Sequence, residues 1–361
     1  MSSVDEIPET KVLAIASHVS YGYVGNTMAT FVMQSLGCEV AAIDTVHFSN
    51  HTGYRQVKGT KVSAQEIRNL YEGLVQSYLT DFDVLLSGYT PTAEAVQAVG
   101  EIALDLKRRA AKKNRPFFWI LDPVMGDLGR IYVGEDVVPA YKNVIHHADL
   151  ILPNQFEAEL LSGIKIQNLT DLTNAIAAIH KTYSVPHVIV TSVQLPSESG
   201  SGQTDSATMS VFGSTIRSDG SPRVFQIDIP ALNCNFNGTG DMFAALTVAR
   251  LRQVAAADPS LYKAPSWVSP DEVPATDLPL AKVAERVLSS MHFVLQRTLE
   301  ARNAELAVPP TYDEDYPAPA TEEERQKREH LRRTKASEVR LIRNVHLLRN
   351  PEIIFRAKEL K

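Results

Sequence analysis

The sequence predicts an α/β chain built as a three-layer αβα sandwich on a mainly parallel sheet. Three observations lead there. Short, nearly continuous apolar runs recur from residue 12 onward, amphipathic stretches separate them, and two segments late in the chain alternate as an antiparallel pair. The strand candidates are 12–17 (VLAIAS), 40–44 (VAAID), 83–87 (DVLLS), 117–122 (FFWILD), 149–152 (DLIL) and 187–192 (HVIVTS). Runs apolar on consecutive residues suit strands covered on both faces. Between them the pattern predicts helices over about 25–36, 63–79, 92–113, 154–162, 170–182, 239–254 and 280–304. The clearest places Ile67, Leu70, Tyr71, Leu74, Val75 and Tyr78 on one stripe behind a Ser63-x-x-Glu66 capping box. Residues 207–213 and 223–229 form the antiparallel pair.

The remaining segments set the domain organisation. A polar Gly/Ser loop covers 196–206, and 257–279 carries five prolines, which predicts an irregular surface excursion. The stretch 308–324 reads as a linker, and 325–349 is basic and in part helical. The expected organisation is a disordered 1–10, one α/β domain over 11–304, and a linker with a basic tail over 305–361.

Composition narrows the function classes. Of 361 residues 44% are apolar and 22% charged, which allows a substantial core. Cys38 and Cys234 are the two cysteines, so a disulfide framework is excluded and a reducing compartment fits. There is no run of about 20 apolar residues for a membrane span, and MSSVDEIPETK lacks the basic-then-apolar order of a signal peptide, so the expected location is the cytoplasm. Net charge is −6, divided into +5 over residues 322–361 and −11 over residues 1–321. A body that acidic repels a polyphosphate backbone, which argues against nucleic acid as a partner.

Several familiar sites are missing. There is no G-x-x-x-x-G-K-[ST], and no G-x-G-x-x-G follows the first strand. His47 and His51 stand four apart without an evident third ligand, so turn or substrate-loop roles fit them better than zinc. The informative run is Asn237-Gly238-Thr239-Gly240-Asp241 at the head of an apolar helix. Two glycines let the backbone turn tightly and present N–H groups where the helix dipole favours an anion. Asp241 could accept a proton from an alcohol beside that anion site, or simply cap the helix. Asp122-Pro-Val-Met-Gly-Asp127 brings two carboxylates to a strand end, either as ligands or as turn chemistry. Asn154-Gln-Phe-Glu157 also fits a capping box.

Taken together, the motifs resemble the ribokinase-like small-molecule kinases and, within them, the pyridoxal kinases. The resemblance runs from about Lys11 to the 280–304 helix. It rests on Ser17-His18-Val, Gly22-Tyr-Val-Gly25-Asn, Phe48-Ser-Asn-His-Thr-Gly-Tyr54, Ser87-Gly-Tyr89, Asp122 to Asp127, Pro153-Asn-Gln-Phe-Glu-Ala-Glu159, Thr191-Ser192 and Gly238-Thr-Gly-Asp241. It implies a ribokinase-like fold, a homodimer, and transfer of the ATP γ-phosphoryl group to the hydroxymethyl group of pyridoxal, pyridoxine or pyridoxamine. In that reading Asp241 is the base, and the backbone of Gly238, Thr239 and Gly240 forms the anion hole. Ser17 and Thr52 hydrogen-bond the pyridine ring and its substituents, while Val24, Val46, Phe48 and Tyr89 line it with His51 nearby. Asp122, Tyr132, Asn154, Glu157, Thr191, Ser192, Leu232 and Thr239 meet the nucleotide. Asp122, Asp127, Glu157 and Thr191 organise Mg²⁺ and a monovalent cation of the K⁺ type. Leu152 departs from the resemblance by standing where relatives often carry Thr, and Asn235-Phe-Asn237 is more polar than the usual lead-in. Another ribokinase-like kinase, acting on a hydroxymethylpyrimidine or a sugar, and a non-catalytic B6-binding protein are the competing readings.

Overall fold

The structure, a computed structural model, describes residues 7–195, 208–314 and 317–360. The loop expected at 196–206 lies outside them. The first half of the chain runs β1 (Lys11–Val19), α1 (Gly25–Ser35), β2 (Glu39–Phe48), β3 (Gly59–Lys61), α2 (Ala64–Gln76), β4 (Val84–Ser87), α3 (Ala93–Lys112) and β5 (Phe118–Leu121). A small hairpin of β6 (Gly126–Asp127) and β7 (Arg130–Ile131) comes next, then α4 (Val137–Val144), β8 (Leu150–Ile151), α5 (Gln155–Ser162), α6 (Leu169–Tyr183) and β9 (His187–Val193). The rest comprises β10 (Thr208–Ile216), β11 (Pro222–Pro230), α7 (Thr239–Ala257), α8 (Pro259–Lys263), α9 (Pro279–Ala307), α10 (Glu322–Ala336), α11 (Val345–Arg349) and β12 (Lys358–Glu359).

The main sheet has the order β12-β11-β10-β9-β8-β5-β4-β1-β2-β3. Its middle, from β2 to β9, pairs in parallel, and both ends are antiparallel. Alternation along each strand divides the core between two layers. Val12, Ala14, Leu86 and Ile120 face α1, α7 and α9, whereas Leu13, Ile15, Leu85 and Trp119 face α2, α3 and the helices between α3 and β9. The three-layer expectation holds, including the late antiparallel pair. No helix among the described residues is long and apolar enough to cross a membrane.

Three expectations change. The 305–361 segment is not an appended tail. Val339, Leu341 and Leu348 are buried in the same core layer as α7 and α9, and β12 extends the sheet beside β11. Buried Glu285 receives the N–H of Ala357 and the guanidinium of Arg356, both at 2.9 Å. A handful of spaced apolar residues does the docking while the abundant cations face water, so composition alone reads as solvated helix. The 257–279 stretch also packs inward. Trp267 stacks on Phe118 with ring centroids 4.3 Å apart, and buried Arg223 donates to the carbonyls of Ser269, Pro270 and Val273. Of the expected disordered start, residues 1–6 lie outside the described residues, but Thr10 is fully buried.

Candidate active site

The chain leaves β1 for β2 on one side and then places β4 on the other. This reversal opens a crevice at the carboxyl ends of β1 and β4, where ligands of open α/β sheets settle. Ser17, Phe48 and Tyr89 stand at or just beyond the ends of the adjacent strands β1, β2 and β4. Val46 is fully buried on β2, while Val24 caps α1 from the crevice side and remains partly exposed.

Glycines let α7 begin against this crevice. Gly238 has φ +77°, and a Cβ there would lie 2.0 Å from the Tyr23 carbonyl. Gly25 has φ +53°, and a Cβ would lie 2.0 Å from the Ser17 carbonyl. Both positions therefore require glycine, and the two turns interlock. Asp241 sits in the first turn of α7, facing the backbone N–H of Gly25. Burial pushes its carboxyl up to about 6, and the Gly25 N–H opposes the shift.

Two further carboxylates complete an acidic centre. Asp122, at the end of β5, accepts no side-chain hydrogen bond among the described residues. Burial first, then the charges of Glu157 and Asp241, raise it well above the ordinary carboxylate range. Glu157 is held by the backbone N–H groups of Met125 at 2.8 Å, Gly126 at 3.3 Å and Asn154 at 2.9 Å. Burial still pushes it up to about 7. Asn154 forms the complete capping box with Glu157 and donates to the Gly126 carbonyl at 2.7 Å. The capping and functional readings of this motif are therefore compatible. Carboxylates buried together and short of counter-charge suit a divalent cation, with Asp122 free to meet it and Glu157 already occupied by donors.

A cleft of about 470 Å³ opens beside the head of α7, lined by Asp127, Thr191, Ser192, Leu232, Thr239 and Gly240. These six of its lining residues are candidates from the sequence, and apolar side chains such as Met209, Ile229, Phe243 and Met291 line it with them. Tyr132 is not among the lining residues. It lies 60% exposed after the β6–β7 hairpin and lines a neighbouring opening with Thr52, Arg55, Arg130, Arg302 and Arg333. Leu152 is buried in the apolar core with its N–H donating to the Leu121 carbonyl.

Sequence reasoning missed Glu338. Its carboxylate lies 3.0 Å from His51 Nε2 and accepts from the Tyr54 hydroxyl at 2.9 Å, with the Tyr23 N–H at 3.4 Å. No local signal marks it, because its partners stand far earlier in the chain.

This site can be set beside known proteins. A family model described as phosphomethylpyrimidine kinase matches residues 30–273. Human pyridoxal kinase is 38% identical over 307 residues, covering 82% of this chain and 88% of its own. The chain belongs to the pyridoxal kinase family. It is a kinase with the ribokinase-like fold. The Dictyostelium discoideum pyridoxal kinase is 32% identical over 358 residues, covering 98% of this chain and all of that one, so the family likeness includes the C-terminal segment. The pyridoxal kinase from Leishmania donovani, solved in complex with ADP and pyridoxamine, superposes with a TM-score of 0.76 at 27% identity. That match covers 98% of this chain and 100% of the Leishmania chain.

Proposed function

We propose that this kinase phosphorylates the hydroxymethyl group of pyridoxal, pyridoxine and pyridoxamine with ATP. The observation that carries the reading is Asp241, half-buried at the glycine-built head of α7, beside both the β1–β4 crevice and the cleft. The vitamer stands on Val24, Val46, Phe48 and Tyr89, oriented by Ser17, His51 and Thr52. The nucleotide occupies the cleft of Thr191, Ser192, Leu232 and Thr239.

Asp241 accepts the proton of the substrate hydroxyl as its oxygen bonds to the γ-phosphorus. The bond between that phosphorus and the bridging oxygen breaks, and the electron pair leaves with ADP. Backbone N–H groups of residues 238–241 receive the charge on the transferring phosphoryl oxygens. Positioning carries most of the rate in such a loose transition state, so a weak base suffices. Asp122, Asp127, Glu157 and Thr191 would hold Mg²⁺, Glu157 through water. The ion would neutralise charge on the phosphates. A K⁺-type cation near Asp122 and Thr191 belongs to the same reading.

A coupled ATPase assay against pyridoxal, pyridoxine, pyridoxamine, hydroxymethylpyrimidine and ribose tests this. Turnover with the three vitamers is expected. Turnover confined to the pyrimidine or the sugar would overturn the assignment.

A further inference from the structure

Among the described residues, His18, Asp44 and His47 place one potential ligand atom each within 4.8 Å of the others. Sequence spacing drew attention to His47 with His51, but the fold separates their roles. His51 turns to Glu338, whereas His47 meets His18 and Asp44.

A bulge creates this arrangement. The β1–β2 register pairs Ala16 with Asp44 and His18 with His47, so Ser17 alone stands opposite two residues, Thr45 and Val46. In a regular strand Asp44 and His47, three apart, point to opposite faces. The extra residue returns both to the face that carries His18. His47 Nδ1 lies 3.7 Å from Asp44 Oδ2, and the two imidazole rings meet edge-on at 6.0 Å. The other carboxylate oxygen, Asp44 Oδ1, accepts from Asn26 Nδ2 at 2.8 Å. Asn26 is itself buried and bonded to the Ala16 and Ile43 carbonyls. Asp44 is therefore oriented in advance by a fixed donor, the kind of support that metal-binding carboxylates use.

We propose that His18, Asp44 and His47 bind a divalent transition-metal ion, Zn²⁺ fitting best. Two imidazoles and one carboxylate make a donor set of the Zn²⁺ kind, with a fourth tetrahedral position open to water. Ligand atoms around a tetrahedral Zn²⁺ stand roughly 3.4 Å apart, close to the His47–Asp44 separation. Mg²⁺ prefers all-oxygen shells and does not compete for this site. Ser17 and His18 are consecutive on β1 and face opposite ways, so the site is separate from the substrate face. A bound ion ties the carboxyl ends of β1 and β2 together.

The test uses the full chain, free of nucleotide, in millimolar Mg²⁺. Zn²⁺ is titrated against a chromophoric chelator, and Co²⁺ is added separately to read visible d–d absorption. One Zn²⁺ per chain at micromolar affinity or tighter is expected, with a tetrahedral Co²⁺ spectrum and a rise in melting temperature. His47→Gln changes an exposed side chain and leaves folding intact. It and Asp44→Asn each weaken binding at least tenfold. Failure of wild type to bind Zn²⁺ at about 100 μM, well above the micromolar range expected of such a donor set, overturns the proposal. So does unchanged affinity in His47→Gln, which would assign the ion to other residues. Neither outcome bears on vitamer phosphorylation, which the ATPase panel reads separately.

Discussion

Glu338 Oε1 lies 3.0 Å from His51 Nε2, joining two residues 287 positions apart, both side chains less than a tenth exposed. A carboxylate only accepts, so Nε2 carries the hydrogen of this contact. The Nδ1 of His51 is buried and has no partner among the described residues. Tyr54 donates to the same Glu338 oxygen, so the C-terminal segment pins the whole 51–54 turn against the crevice.

Glu338→Ala removes the shared acceptor and leaves His51 Nε2 and the Tyr54 hydroxyl unpaired. Leaving a buried polar group unpaired costs about 1–3 kcal/mol, roughly a 5- to 160-fold effect on an equilibrium. The expected result is a rise in KM for pyridoxal within that range, with KM for ATP changed less than threefold. Glu338→Gln retains an acceptor oxygen and recovers most of the loss. Steady-state kinetics with each substrate varied in turn provide the check. Equal KM values in the alanine variant would reduce the contact to fastening the tail.

For Asp241 the informative change is to Asn, nearly isosteric and still able to accept from the Gly25 N–H. If Asp241 takes the substrate proton, kcat falls about 10²–10⁴-fold. A helix-capping role alone costs a few tenths to about 2 kcal/mol of stability and leaves turnover within a few fold. Measuring kcat and melting temperature on the same two proteins separates these roles.

The same pair of proteins also tests the electrostatics. Asp241 ordinarily titrates near 3.8 and is raised to about 6. Its protonated form is the one the fold favours, so its stabilising contribution is complete below the unfolded value and is lost as pH rises through about 6. Without Mg²⁺, wild type should therefore lose melting temperature relative to Asp241→Asn between about pH 4 and 7, the window that spans the two values. Saturating Mg²⁺ should flatten that difference by supplying counter-charge to the acidic centre. A pH-independent difference in Mg²⁺-free buffer would mean that Asp241 is not destabilised by burial.

Legibility tracks the range of the interactions. The parallel sheet, the head of α7 and the Asn154–Glu157 cap depend on residues adjacent in sequence, and each is readable from composition and spacing. Glu338, Trp267 and the Ala16–Asp44 bulge depend on partners tens to hundreds of residues away. Nothing local distinguishes Glu338 from the other acids of a basic segment, and Trp267 sits among prolines that signal surface loop. The Asp44–His47 pairing is invisible because a period of two assigns those side chains to opposite faces. Tyr132 stands apart from the cleft for a related reason. Two positive-φ residues, Leu128 and Gly129, turn the β6–β7 hairpin and direct Tyr132 toward the neighbouring opening.

The last prediction isolates the close approach of Gly238 to the β1–α1 loop. Gly238→Ala meets two penalties, a positive φ of +77° and a Cβ only 2.0 Å from the Tyr23 carbonyl. Gly163, at the end of α5, has a similar φ of +73° but nothing within 4 Å of a Cβ. Gly163→Ala therefore bears the backbone cost alone, about 1–2 kcal/mol, and should lower melting temperature by several degrees while leaving kcat intact. Gly240→Ala meets only ordinary contact, 3.7 Å from Asp122 Oδ2, at a position with no positive φ. It should fold normally, and its effect reports how closely a ligand approaches that backbone. Gly238→Ala has to push α7 away from Tyr23, carrying the N–H groups and Asp241 with it. Its kcat should fall at least about a hundredfold, since a one-ångström displacement of a positioned group costs that much. If Gly238→Ala retained the turnover of Gly163→Ala, the head of α7 would not need this approach, and its backbone would lose the anion-hole assignment.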